Sequence, residues 1–444
     1  PPPPPPPPPF QAEDGIRESV NGLVGSEMCI RDRDKLMGIK LNSVKSIGPG
    51  IVIAATGVGA GDLIAASVSG ARFGTTILWA AVIGAIIKYI INENLARWQL
   101  VTGTTLLEGW INKLPRFVSI YFLLYLFLWS FMVSGALISA SGLAAHAIIP
   151  SISVETWGIV HSIIAAIIVW FGGYRQIELI MKLLIAIMFI VVIVCAALLL
   201  PTAGELLSGI FMPSLPDGSI VFVLGVIGGV GGSVTVMSYG YWIREKQWYG
   251  TKYIQQCRID LSVAYLLTGL FGLSVMIIAA GVQPEVVQGS NMILSVADHL
   301  EKSIGEYGRW LFLAGFWGAV FSSMIGVWDG VPYLFTDFMH ASRKQAAGIS
   351  SDDYTKSPYY RAYLLYLALP PMILLTLGKP VWVVVIYSVT GAFFMPFLAA
   401  LLIYMNNRRD WLKTFSNGYL MNALLLVSIL LFSYLLIEKM LRYL

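Results

Sequence analysis

Eleven apolar runs, most near or above the ~20 residues that cross a bilayer as a helix, fill almost all of the chain after residue 45. In lipid every backbone N–H and C=O must be satisfied internally, so runs of this kind fold as helices. They are read at 46–70, 75–97, 117–147, 156–171, 176–200, 220–243, 259–281, 308–339, 361–378, 380–405 and 418–438. The chain is 57% hydrophobic and 12% charged, about half the charge of an ordinary soluble domain. The expected fold class is an all-α integral membrane protein with about eleven transmembrane helices.

Lys and Arg placement orients the spans, because basic residues collect in cytoplasmic loops. With the N-terminus inside, the cytoplasmic stretches gather Arg97, Lys113 and Arg116, then Arg244, Lys246, Lys252 and Arg258, then Arg343, Lys344, Lys356 and Arg361, among others. The opposite side receives only Arg72, Lys302, Arg309, Lys379, Lys439 and Arg442. The bias predicts a cytoplasmic N-terminus in a plasma membrane, the inner membrane of a prokaryote. The net charge of +4 then reflects topology, and no nucleic-acid partner is expected; the partners are the bilayer and whatever crosses it.

Residues 1–33 stand apart. Nine prolines lead into "FQAEDGIRESVNGLVGSEMCIRDR", which has no apolar h-region of a signal peptide. "SEMCIRDR" resembles translated sequencing-adapter read-through, so 1–33 is expected to be a non-native, disordered leader. Residues 34–444 are then one polytopic domain: repeat one at about 45–200, repeat two at about 220–405, and an extra helix at 418–438.

Enzymatic signatures are missing from the sequence. No G-x-x-x-x-G-K-[ST] occurs, and His146, His161, His299 and His340 lie in separate segments without H-E-x-x-H spacing. The three cysteines, Cys29, Cys195 and Cys257, form no disulfide or zinc pattern. An enzyme is not expected, nor a cofactor, apart from a transported divalent cation as substrate.

Two spans are interrupted by glycine. The first carries Gly57, Gly59 and Gly61 ahead of Asp62; the sixth carries Gly225, Gly228, Gly229, Gly231 and Gly232. Five spans separate their starts, so the sixth crosses in the opposite sense and the chain divides into two inverted five-helix halves. Glycine-interrupted helices at matching positions of inverted halves point to a transporter's central site. The four-residue spacings Gly57/Gly61 and Gly228/Gly232 also suit close helix packing.

The stretch "IGPGIVIAATGVGAGDLIAASVSGARFG" resembles the first helix of the NRAMP divalent-metal transporters, with G-P, D-P-G-N and G-A-R-Y/F-G in one register. "NLARWQLVTGTTLLE" (94–108), "GGYRQIE" (172–178) and "TVMSYGYWI" (235–243) continue the likeness. The resemblance implies a LeuT-type 5+5 inverted repeat with broken helices 1 and 6, working by alternating access. In that register Gly59 stands at the family's metal-binding Asp, Ala60 at its Pro and Asp62 at its Asn. Met237 keeps the soft thioether, while Ser238, Tyr239 and Gly240 replace Pro-His-Asn. Val234 would supply the carbonyl donor. Residues 117–154 contain no Asp, Glu, Lys or Arg, unlike the third helix of proton-coupled members, so proton coupling is not expected.

The expected substrate site therefore comprises Gly59, Asp62, Val234, Met237 and Tyr239, with Asp62 and Met237 as metal ligands. Sulfur facing a carboxylate favours transition metals; a hydrated Mg²⁺ needs fewer protein ligands. Lys88, mid-span, is expected to partner Asp62 or another acid, and Asp329, flanked by Gly330 and Pro332, is a second buried acid; both are candidate gating or coupling groups. Glu93, Glu178, Lys182 and Asp260 sit near span ends and read as caps. The leading expectation is a secondary-active or facilitative transporter of a divalent cation. A second keeps the scaffold for a small organic solute, with Tyr239, Trp242 and Phe394 around it. A third is a non-transporting membrane sensor or partner subunit.

Overall fold

The computed structural model describes residues 48–229, 231–282, 305–343, 351–378 and 380–441, with a few positions between 294 and 302. Residues 1–33, the expected leader, lie outside the described residues together with their Cys29, as do the side chains of Ala60, Gly61, Asp62 and Ile64. The helices in chain order are α1 (Pro49–Gly57), α2 (Ala60–Phe73), α3 (Trp79–Thr102), α4 (Leu106–Lys113), α5 (Arg116–Ile148), α6 (Val154–Phe171) and α7 (Tyr174–Leu198). They continue with α8 (Ala203–Phe211), α9 (Ile220–Gly229), α10 (Tyr239–Glu245), α11 (Ile254–Val282) and α12 (Glu306–Ser342). The last are α13 (Ser351–Lys356), α14 (Pro358–Ala368), α15 (Pro380–Asn406), α16 (Arg409–Leu412) and α17 (Tyr419–Leu441).

Among the described residues seven helical stretches are long and apolar enough to cross a membrane, or eight if the bent pair Arg409–Phe415 and Tyr419–Tyr434 is counted. A test of length and apolarity passes over two kinds of segment here. The first span is split into α1 and α2, each too short alone. The second, α3, carries Lys88, Glu93 and Arg97 in its interior. The outer faces of the bundle are apolar: Phe117, Leu124, Leu183, Ile190 and Leu266 are all exposed. A surface of that kind is at home in lipid and not in water.

Both glycine clusters are breaks. Helix α1 starts with Gly48 as N-cap and Pro49 at its first position, where the missing N–H costs nothing. It ends at Gly57, and Gly59 is extended before α2 resumes. In the sixth span α9 stops at Gly229, and a 3₁₀ turn (Val234–Ser238) leads into α10. Gly231 and Gly232 both have φ of +80°, a backbone region that side chains with a Cβ disfavour. The two breaks touch. A Cβ on Gly57 would lie 2.6 Å from the carbonyl carbon of Gly231. Around them α2 packs on α11 and α9, α9 on α15, and α1 on α11, α12 and α7. The glycines therefore serve both readings of their spacing at once, interruption and close approach.

Candidate functional site

Helix ends at membrane depth leave carbonyls without N–H partners. At the first break, Ser323 on α12 donates to Thr56 O at 2.7 Å, and Ser322 lies 3.4 Å from Ala55 O. Thr56 turns its own hydroxyl back to Val52 O. Gly59 sits directly on Ser323: a Cβ there would collide with the serine hydroxyl. The position at which the resemblance places a metal-binding carboxylate has no room for one while Ser323 stays where it is.

At the second break, the Lys88 ammonium donates to Gly228 O at 3.0 Å and also to Gly232 O. Lys88 is completely buried. Its described hydrogen-bond partners are backbone carbonyls exposed by the unwound glycines; the side chain of Asp62, one acid expected beside it, lies outside the described residues. Tyr265 closes over Gly231, its ring 2.7 Å from where a Cβ would stand, and Asn92 donates to its hydroxyl. Trp129 donates to Ser233 Oγ at 2.8 Å, tying α5 to the same break.

Val234 and Met237 lie buried in the 3₁₀ turn just beyond. The Asp62 backbone is in the first turn of α2, and its side chain lies outside the described residues. Among the described residues no three His, Cys, Asp or Glu side chains gather as a metal cluster. Tyr239 does not offer its hydroxyl to the breaks, because it donates to Asp260 Oδ2 at 2.9 Å. Asp329 is likewise engaged, accepting from Trp242 Nε1 at 2.8 Å and facing the Tyr360 hydroxyl at 3.3 Å.

Among the described residues, the interior between the breaks and the end of the bundle where the basic loops gather is closed by buried, hydrogen-bonded side chains. Asp260 on α11 accepts from the N–H groups of Gly48 and Gly50, at 3.1 and 2.6 Å, fixing the start of α1 from another helix. An anion at a helix N-terminus also meets the positive end of its dipole. Asp337, at the end of α12, accepts three hydroxyls: Thr105 at 2.5 Å, Tyr241 at 2.7 Å and Tyr354 at 2.9 Å. Beside it Arg244 reaches Glu108 at 3.5 Å. Burial, and then the nearby Asp337, hold the Glu108 carboxyl above its ordinary range, against the pull of Arg244 and the Thr105 N–H. Glu178 pairs with Lys182 and Lys246, and Glu93 with Arg97 and Arg258. His161 is a packing residue: Trp317 N–H donates to its Nε2, so Nδ1 carries the proton given to Trp157 O.

The Asp337 seal predicts a measurable change. Asp337→Asn replaces an acceptor oxygen with an N–H₂ group and must lose at least one hydroxyl bond, worth roughly 1.5–3 kcal/mol to a charged group. Cys257 lies beside Tyr239 and is buried. In a Cys29→Ala/Cys195→Ala background, its labelling by a membrane-permeant maleimide is expected to accelerate about tenfold in Asp337→Asn. An unchanged rate would show that Asp337 does not hold this end shut.

A family model described as natural resistance-associated macrophage protein-like matches residues 50–441. The chain belongs to the NRAMP family. An uncharacterised Pasteurella multocida protein is 23% identical over 297 residues, 64% of this chain and 68% of that one. A Yersinia pestis protein named divalent metal cation transporter MntH is 25% identical over 268 residues, 56% of this chain and 61% of its own length. Among solved structures, a manganese transporter of Eremococcus coleocola superposes with a TM-score of 0.69 at 13% identity, over 87% of this chain and 84% of that chain. MhsT in complex with L-phenylalanine superposes with a TM-score of 0.57 at 17% identity, over 88% and 97%. At these identities the superpositions speak for fold: this NRAMP-family chain has the LeuT-type inverted repeat with helices 1 and 6 broken.

Three contributors to the contacts around the first and sixth spans escaped the sequence. The Ser322–Ser323 pair reads as unremarkable small polar residues until α12 is laid against the end of α1. Trp129 reads as an apolar-run aromatic. Asp260 reads as a cap of its own span, whereas it caps another.

Proposed function

We propose that this NRAMP-family protein is a transporter that moves a divalent metal cation by alternating access, with its cargo between the first and second breaks. The observation that carries the reading is the meeting of two interrupted, oppositely directed helices at Gly57 and Gly231, with one end of the bundle sealed by buried Tyr, Trp and Asp side chains. A site between two breaks and a seal on one side is what alternating access requires. The family, and the metal named for the Yersinia and Eremococcus relatives, support the cargo class. Asp62 would supply the charge, Met237 the soft donor and Val234 a carbonyl. Lys88 and Asp329 would be gating groups. The basic loops favour a cytoplasmic sealed end and N-terminus, with the protein in a plasma membrane.

Two observations favour a small organic solute instead: Gly59 is filled against by Ser323, and the second break's carbonyls are engaged by Lys88. Uptake into proteoliposomes separates the readings. Mn²⁺, Mg²⁺ and Ca²⁺ are offered beside small amines and amino acids, with a pH dye inside. Uptake of a divalent ion that falls at least tenfold in Asp62→Ala, without acidification, is the expected result. Failure of every divalent ion to move would sink the metal reading, and unchanged uptake in Asp62→Ala would sink the site.

A further inference from the structure

We propose that the groove between α3 and α11 is a binding site for one anionic phospholipid, with its acyl chain in the groove and its phosphate at Arg258. The chemistry of this site does not rest on the transporter reading. The groove has a volume of about 380 Å³ and is lined by Val82, Ile86 and Tyr89 from α3 and by Ser262, Leu266 and Leu273 from α11. Gly269 on α11 and Ala85 on α3 bring the two helices together along it: a Cβ on the glycine would lie 3.0 Å from the alanine Cβ. Ile86, Leu266 and Leu270 are exposed, so the groove opens sideways, onto lipid and not onto water.

The lining selects an acyl chain. At the helical rise, Ser262 and Leu273 stand about 16 Å apart along α11, close to the ~15 Å of hydrocarbon in one leaflet. A pocket for a soluble molecule carries a few polar groups that orient its ligand. Here Ser262 gives its hydroxyl to Arg258 O at 2.7 Å, and the Tyr265 hydroxyl accepts from Asn92 at 2.9 Å. The polar handle lies at one end instead. Arg258 is one turn before Ser262 on α11, and Glu93 one turn after Tyr89 on α3, so both continue the faces that line the groove. Glu93 meets Arg97 at 3.2 Å and Arg258 at 2.9 Å, which leaves one positive charge in excess. Arg97 is buried, whereas 44% of the Arg258 side chain is exposed. The turn Thr251–Tyr253, bearing the exposed Lys252, packs on α3 at the same end. A half-exposed guanidinium between two helices, at the mouth of a lipid-facing groove, suits a phosphate.

Tyr265 gives the site its consequence. Its side chain lines the groove, and its ring also covers Gly231, 2.7 Å from where a Cβ would stand. The Lys88 stem is 3.4 Å from that same point. A chain seated in the groove therefore backs the ring against the second break, and an empty groove leaves the ring room to turn away. The bound lipid favours the arrangement in which Lys88 holds Gly228 O and Gly232 O. A membrane rich in anionic lipid thereby shifts the population toward that conformer.

Thermal unfolding of the purified full chain in detergent tests this, with dioleoylphosphatidylglycerol titrated in parallel with dioleoylphosphatidylcholine. A phosphatidylglycerol carrying a diazirine on its acyl chain locates the bound tail. The expected Tm climbs and saturates with phosphatidylglycerol and moves little with phosphatidylcholine or with glycerol phosphate alone. The diazirine should label α11 between Ser262 and Leu273 or α3 between Val82 and Tyr89. Arg258→Gln should weaken the phosphatidylglycerol response about tenfold, and Arg258→Lys, which keeps the charge, should retain most of it. Leu266→Trp, which adds bulk to the groove from an exposed position, should abolish the labelling. Arg409→Gln, an exposed charge elsewhere, and Leu124→Trp, an exposed position on α5, should change neither readout. If Arg258→Gln does not fold, the wild-type labelling and Leu266→Trp decide. Equal responses to the two lipids, equal protection by glycerol phosphate alone, or labelling outside the groove overturns the site. None of these readouts measures uptake, so failure of the cargo assay and failure of this site are separate results.

Discussion

Gly57→Ala is expected to yield little or no folded protein. Its Cβ would stand 2.6 Å from the carbonyl carbon of Gly231 and 2.8 Å from its Cα. Side-chain crowding in a core costs about 1–3 kcal/mol when rotamers can give way. Here the obstacle is backbone on both sides, so relief requires parting α1 from the sixth span. Alanine also favours continued helix over a break, pushing the same way. The monodisperse yield on size exclusion and the Tm in detergent report the outcome. Gly204→Ala is the comparison, because nothing lies within 4 Å of a Cβ there. Equal Tm values for the two variants would mean that the breaks do not touch as described.

Lys88→Met has the second large expected effect. Methionine fills similar space but leaves Gly228 O and Gly232 O facing a dry interior. Losing a hydrogen bond to a charged donor costs roughly 1.5–3 kcal/mol, and two are lost. Relief from burying an ammonium offsets part of that. The net is destabilisation of about 3 kcal/mol, together with loss of transport, since the geometry of the second break depends on the ammonium. Lys182→Met removes a half-exposed ion pair and should cost under about 1 kcal/mol. A Lys88→Met protein as stable and active as Lys182→Met would remove Lys88 from the site.

The places where the helices break could be read from the sequence because glycine declares itself: it is the residue that tolerates φ of +80° and a backbone pressed against backbone. The inverted arrangement followed from counting spans between the two clusters. What the breaks are bonded to could not be read that way. Lys88 holds carbonyls of the second break, and a carbonyl carries no residue identity, so those partners could not be read from the sequence. Gly59 presented itself as a lost ligand; only α12, far along the chain, shows that Ser323 occupies the space a ligand would need. Tyr239 stands beside the second break in the chain, and Asp329 reads as a second buried acid between the helix-bending Gly330 and Pro332, yet their polar atoms turn toward Asp260 and Trp242. Asp62 stands next to the first break in the chain, and the uptake of its alanine variant tests its role.

The three hydroxyls on Asp337 bear on turnover. Each bond to that carboxylate is worth roughly 1.5–3 kcal/mol, so unsealing the basic end climbs by several kcal/mol before anything is regained. A gap of that size leaves the unsealed conformer as a small minority, about 1% or less of the molecules at equilibrium. Under the proposed alternating access, a cargo at the centre would wait on a rare excursion, and its apparent affinity from that end would be discounted by the same fraction. The slow step expected of such a cycle is the parting of Thr105, Tyr241 and Tyr354 from Asp337, and variants there should alter the maximal rate more than the selectivity.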